Sequence, residues 1–318
     1  MESLMQPQSF VRRSAAAHDP TPPAGRYYQV EGRRLLLHQS GSGDPAVVFL
    51  AGGGAVGLDY LNLQQRAAEL ATSVIYDRAG TGWSQRVDLP RASAEVIEEL
   101  RALLTAAEVP APYLLVGHSL GGLYARHHAQ QYSGEVSGLV LLDPAHEDYN
   151  AYMPKDLVDQ WSSWDADEVL PDDLPEELIQ FYRALFEQEM TDWPPDIRDV
   201  LIERHVSADW LRAGLQEAKN IDQLYDDVRH AGQMPDLPLI ILTSTGIDSF
   251  KAAVSQGIPE SLLCEEIEGK NRLYTTWAES VRNGENRLVE HVGHVTLHFR
   301  RPDAVLQAIQ DILHRLHR

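Results

Sequence analysis

Gly117-His118-Ser119-Leu120-Gly121 sets a serine between two glycines, each two residues away. The apolar run Tyr113-Leu114-Leu115-Val116 leads into it as a strand, and a helix is predicted from Leu120 onward. A strand-to-helix turn this sharp strains the backbone at the serine and lifts its hydroxyl above the sheet edge. Neighbouring backbone then passes too close for side chains at the flanking positions, which explains the glycines. The same turn leaves the Leu120 N–H unpaired at a helix start, where developing negative charge is favoured. This is the arrangement of a nucleophile, and a serine nucleophile needs a base to take its proton.

The chain has 13 histidines to supply that base. His118 lies within the turn and is expected to point away from Ser119, His127 and His128 fall on the following helix, and all three read as surface or packing residues. In Glu290-His291-Val292-Gly293-His294 the last histidine follows a glycine just past a predicted strand, so its loop opens at the same sheet edge as Ser119. His294 is therefore the predicted base, with His291 assigned to the strand and His298 to the start of the last helix. Ala51-Gly52-Gly53-Gly54 follows another apolar strand, and its small residues let a backbone N–H approach a substrate oxygen. Gly53, paired with Leu120, is the predicted oxyanion donor. The glycine run lacks G-x-G-x-x-G spacing and no Walker-type lysine follows. The histidines show no H-E-x-x-H or similar spacing. No nucleotide, other cofactor or metal is expected.

These residues need a scaffold, and the chain alternates strand-like and helix-like segments from residue 26 onward. A hairpin turning at Glu31-Gly32 is followed by strands over 46–50, 73–76, 113–116 and 139–142, with helices over 58–70, 92–109 and 120–132 between them. Short apolar strands joined by helical crossovers imply a parallel sheet covered on both faces. After Asp143-Pro144 the alternation stops. Residues 146–236 carry no convincing strand, many acids and four of the six tryptophans, Trp161, Trp164, Trp193 and Trp210. This stretch reads as a helical insertion, and its tryptophans are candidate substrate-binding residues. A strand over 237–243, a loop-rich region, a helix over 273–281, a strand over 287–291 and an amphipathic closing helix complete the pattern.

Composition narrows the partners. A formal net charge of -20 repels nucleic acid and anionic lipid surfaces alike. No run reaches the roughly 18 apolar residues of a membrane span. The single cysteine, Cys264, fits a reducing compartment, and residues 1–25 lack the apolar core of an export signal. The chain is expected to be cytoplasmic with a flexible leader over 1–25, a core over 26–145 and 237–318, and the insertion over 146–236.

Several motifs in order resemble the α/β-hydrolases. They are the strand-plus-glycine loop at Ala51 to Gly54, Asp77-Arg78-Ala79-Gly80-Thr81-Gly82-Trp83-Ser84, the turn at Ser119, Leu142-Asp143-Pro144 and Gly293-His294. The resemblance implies an α/β fold with an eight-stranded, mostly parallel sheet, a helical cap after the sixth strand and a Ser–acid–His triad in that chain order. It implies the acid after the strand at 237–243, hence Asp248, with Asp143 as the alternative. Members carry a histidine where this chain has Ala51, so another residue must organise the oxyanion loop. The expected reaction is hydrolysis of small to medium apolar or aromatic esters through an acyl-enzyme. Amidase, peptidase, lactonase or acyltransferase chemistry on the same triad, or a non-catalytic ligand receptor, are the alternatives. A serine at this position argues against the branches of the family that use an aspartate nucleophile.

Overall fold

Runs such as Leu139-Val140-Leu141-Leu142 carry no polar side chain on either face of a strand, so they require cover on both sides. In a computed structural model, which describes residues 21–161 and 176–316, that cover is present. The strands are β1 (Arg26–Val30), β2 (Arg33–Ser40), β3 (Ala46–Leu50), β4 (Ser73–Tyr76), β5 (Tyr113–His118), β6 (Val136–Leu142), β7 (Leu239–Ser244) and β8 (Gly284–Val289). They form one sheet in the order β1-β2-β4-β3-β5-β6-β7-β8. Pairing is antiparallel at β1–β2 and β2–β4 and parallel from β4 to β8.

Helices α1 (Leu61–Ala67), α2 (Ser93–Ala106) and α3 (Leu120–Gln131) connect the first strands. Between β6 and β7 run α4 (Tyr149–Tyr152), α5 (Lys155–Trp161), α6 (Glu176–Glu189), α7 (Pro195–His205), α8 (Ala208–Glu217) and α9 (Ile221–His230). Helices α10 (Ser249–Val254) and α11 (Glu260–Ser280) join β7 to β8, and α12 (Leu297–Arg300) and α13 (Pro302–Leu316) close the chain. Successive strand residues enter opposite cores. Leu115, Leu139, Leu141 and Ile241 pack with α2, α3, α9 and α11, whereas Leu114, Val116, Val140 and Leu242 pack with α1, α7 and α13. Each such side chain contributes roughly 1.5–3 kcal/mol by leaving water.

The register aligns the strand ends. Leu50 pairs with Gly117, His118 with Leu142, and Leu142 with Leu242, so the loops after β3, β5, β6 and β7 open side by side at the carboxyl edge. Three expectations shift. The helix expected over 58–70 is a 3-10 turn at Gly57–Tyr60 followed by α1. The strand expected over 287–291 ends at Val289, which leaves His291 in a turn with φ 64°. The region read as loop-rich is mostly helical, because α11 begins at Glu260. Its buried face includes Glu266 and Lys270, which interrupt the apolar stripe on which a helix is recognised. No described helix is long and apolar enough to cross a membrane.

Candidate active site

Ser119 sits between β5 and α3 with φ 51° and ψ -119°, a left-handed conformation that costs an L-residue of order 1–3 kcal/mol. The surrounding bonds hold it there. The Ser119 N–H donates to the Leu142 carbonyl at 3.0 Å, and its own carbonyl accepts from Gly122 and Ala145 at 2.9 Å each. A Cβ at Gly117 would stand 2.6 Å from the Gly121 carbonyl oxygen, and one at Gly121 would stand 2.1 Å from that of Leu50. The glycines are thus required by close backbone approach. His294, in the loop after β8, places Nε2 3.0 Å from Ser119 Oγ.

The acid facing His294 is Asp143, the alternative position. Its Oδ2 lies 3.4 Å from His294 Nδ1. The preference for Asp248 is corrected by that residue's bonds. Asp248 caps α10 by accepting from the Lys251 amide at 2.7 Å, and its other oxygen accepts from the Val295 and Thr296 amides at 3.0 and 3.1 Å. It holds the backbone that follows His294 rather than the imidazole. Asp143 is fully buried and shared: the Ser244 amide donates to Oδ1 at 2.9 Å, Ser244 Oγ bonds to Oδ2, and Lys270 Nζ donates to Oδ2 at 2.7 Å. Burial opposes its ionisation, yet the Lys270 ammonium and His294 together hold the carboxyl below the usual carboxylate range. No sequence signal pointed to Lys270, a lone lysine on a helix rich in charged residues.

His118, expected to point away from Ser119, is buried and ties two loops together. Its Nε2 meets the His294 carbonyl at 3.0 Å, which makes Nε2 the donor, so Nδ1 accepts from the Tyr60 hydroxyl at 2.7 Å. The Gly52 amide in turn donates to that hydroxyl at 3.3 Å. This chain requires a neutral imidazole, and burial, with His294 nearby, lowers the His118 pKa to about 3. Gly53 is exposed and adjoins Leu120: a Cβ there would lie 3.6 Å from the Leu120 side chain. Neither the Gly53 nor the Leu120 amide has an acceptor among the described residues.

A cavity of about 430 Å³ opens on Ser119, His294 and Asp143. Its walls include Tyr149, Tyr225, Phe250, Leu263, Ile267 and Tyr274, drawn from α4, α9, α10 and α11. Of the candidate tryptophans, Trp193 and Trp210 are not among its lining residues, a second correction. Trp193 is 4% exposed and donates through Nε1 to the Leu58 carbonyl at 2.9 Å. Trp210 is 5% exposed and meets Trp83 edge-on at 5.0 Å between centroids. Both are used to pack α7 and α8 onto the core. Trp164 and the Trp161 side chain lie outside the described residues.

Residues 47–308 match the Alpha/beta hydrolase family. Among curated proteins, the chain is 36% identical over 119 residues to the uncharacterized protein YqjL of Bacillus subtilis, covering 37% of this chain and 47% of that one. It is 34% identical over 104 residues to the human (lyso)-N-acylphosphatidylethanolamine lipase, covering 31% of this chain and 30% of the lipase. The matches therefore span less than half the length of either relative. Among solved structures, a thermophilic esterase from Thermogutta terrifontis superposes with a TM-score of 0.58 at 16% identity, covering 92% of this chain and 99% of the esterase. At that identity the likeness speaks for the fold.

Proposed function

The chain belongs to the alpha/beta hydrolase family, and from that premise we propose that it hydrolyses carboxylic esters through an acyl-enzyme on Ser119. The observation that carries this reading is Ser119 Oγ lying 3.0 Å from His294 Nε2 at the mouth of a cavity. Ser119 Oγ attacks the ester carbonyl carbon while His294 Nε2 takes its proton, and the carbonyl π pair moves onto oxygen. The Gly53 and Leu120 amides donate to that oxyanion. The tetrahedral adduct collapses by breaking the bond to the alcohol oxygen, which receives the proton from His294. Water, deprotonated by His294, then attacks the acyl carbon and releases the acid, returning the proton to Ser119. Asp143 orients the imidazole and stabilises its cationic form.

The cavity supports an assignment of subsites. It borders His294, the proton donor to the leaving group, while Gly53 and Leu120 are not among its lining residues. We therefore assign it to the leaving alcohol, and its tyrosine, Phe250 and Ile267 walls suit an apolar or aromatic one. A panel of p-nitrophenyl and aryl-alkyl esters, matched anilides and matched lactones tests the reading. Esters should turn over at least about 100-fold faster than anilides, with the activity abolished in Ser119→Ala. Anilides or lactones preferred over esters would refute it.

A further inference from the structure

The loop carrying Gly53 needs an organiser, because the family histidine is Ala51 here, and Arg78 of the Asp77-to-Ser84 turn fills that need. Its Nη1 donates to the Ala51 carbonyl at 2.6 Å and its Nη2 to the Gly52 carbonyl at 2.9 Å. The same guanidinium pairs with Glu217 at the end of α8, through Nε to Oε1 at 2.8 Å and Nη2 to Oε2 at 3.0 Å. Glu217 Oε2 also accepts from the Gly54 amide at 3.0 Å. Both ion-pair partners are buried, with 3% and 5% of their surface exposed. Helix α8 sits directly on the loop: a Cβ at Gly214 would stand 2.7 Å from Gly54 Cα.

A trans peptide plane points its C=O and N–H in opposite directions. Arg78 grips the Gly52 oxygen, so it fixes where the Gly53 N–H of the same plane points. Glu217 grips the Gly54 N–H, which fixes the next plane. The Ala55 amide also donates to the Gly52 oxygen, at a longer 3.3 Å, but a run of three glycines has no side chain to resist a peptide flip, so the shorter charged grips of Arg78 and Glu217 dominate the aim of the oxyanion donor.

We propose that the Arg78–Glu217 pair is a latch through which the helical β6–β7 segment sets the Gly52–Gly53 peptide, making both residues positioning residues for the oxyanion hole. The inference rests on the ester-hydrolase reading for its role in turnover, but its geometry can be read from Ser119 alone. The segment thereby does more than border the cavity. Without α8 seated on the loop, Ser119 and His294 stay in place while the oxyanion donor is lost.

The test compares wild type, Glu217→Gln, and the double variant Arg78→Met/Glu217→Met, which removes the charged pair as a unit and leaves no buried charge unpaired. Three readouts are taken: kcat and KM for p-nitrophenyl butyrate, the second-order rate at which a fluorophosphonate labels Ser119, and Tm. Loss of one oxyanion donor lowers turnover by about 10²–10³-fold. The double variant should therefore lose about 100-fold in both kcat and labelling rate, with KM within about threefold and Tm within a few degrees of wild type. Glu217→Gln should lose about 10-fold in both. Unchanged kcat and labelling in a folded double variant would overturn the latch, as would a loss that merely tracks Tm. A wild-type protein that labels at Ser119 but hydrolyses no ester would defeat the ester reading, and the labelling rates alone would then decide the latch.

Discussion

Asp143 faces the His294 imidazole and Asp248 the backbone beyond it, so the bonds each makes predict opposite outcomes on neutralisation. Asp143→Asn replaces a carboxylate oxygen 3.4 Å from His294 Nδ1 with an amide that cannot stabilise the imidazolium. Turnover should fall about 10³–10⁴-fold. Asp248→Asn keeps one acceptor for the amides it now serves, so kcat should change less than about 10-fold while Tm drops by a few degrees. Measuring kcat and Tm for both variants checks this, and the reverse pattern would restore Asp248. Ser119 and His294 were legible because backbone crowding writes glycines beside them. The acid was not, since both candidates follow strand ends and satisfy the same chain order. Only the aligned ends of β5, β6 and β7 bring Asp143 beside Ser119, and no one-dimensional pattern records that alignment. Arg78 lies in the Asp77-to-Ser84 motif, yet its partner Glu217 stands 139 residues away.

At the scale of elements, the sheet was readable because its central strands are built on short apolar runs such as Ala46–Leu50 and Leu139 to Leu142, and the two cores follow from simple alternation. The cavity wall was not readable. Lys251 and Glu266, 2.8 Å apart, and the buried Lys270 put charge on the inner faces of α10 and α11, so α10 and the first half of α11 read as loop and only the helix over 273–281 was expected. Tryptophan offered a louder signal, but Trp193 and Trp210 are consumed in packing α7 and α8. The wall residues therefore carry the selectivity prediction. With the acyl group held constant and the alcohol varied, Phe250→Ala or Ile267→Ala should reorder kcat/KM by about 10-fold or more between small and bulky alcohols. The deacylation rate, common to all these substrates, should stay within about twofold. A uniform loss across the series would assign these residues to the core instead, where truncation costs about 2–5 kcal/mol of stability.

On the scale of the whole molecule, pH acts through histidines buried in the neutral form. Burial lowers His118 to about 3 and His128 and His146 to about 4, from an unfolded value of 6.5. Below 6.5 the unfolded chain binds protons that the folded chain refuses, so stability is full above that pH and is lost as pH falls toward 4. Each such group contributes a slope of up to about 1.4 kcal/mol per pH unit inside its window. Asp77 opposes this, because burial raises its carboxyl to about 6 and the folded chain then binds the extra proton. Three histidines outweigh one carboxyl. Tm should therefore fall steadily between pH 6.5 and 4.5, and a flat or rising Tm across that interval would show that these imidazoles are not held neutral.

On the proposed reading, Ser119 is a nucleophile activated by His294 and Asp143. Labelling with a fluorophosphonate followed by peptide mapping tests it most directly, because the reagent requires an activated hydroxyl and no knowledge of the substrate. One label per chain is expected, on Ser119, absent in Ser119→Ala and slowed about 10³-fold or more in Asp143→Asn. A label on another residue, or full-rate labelling in Asp143→Asn, would contradict it.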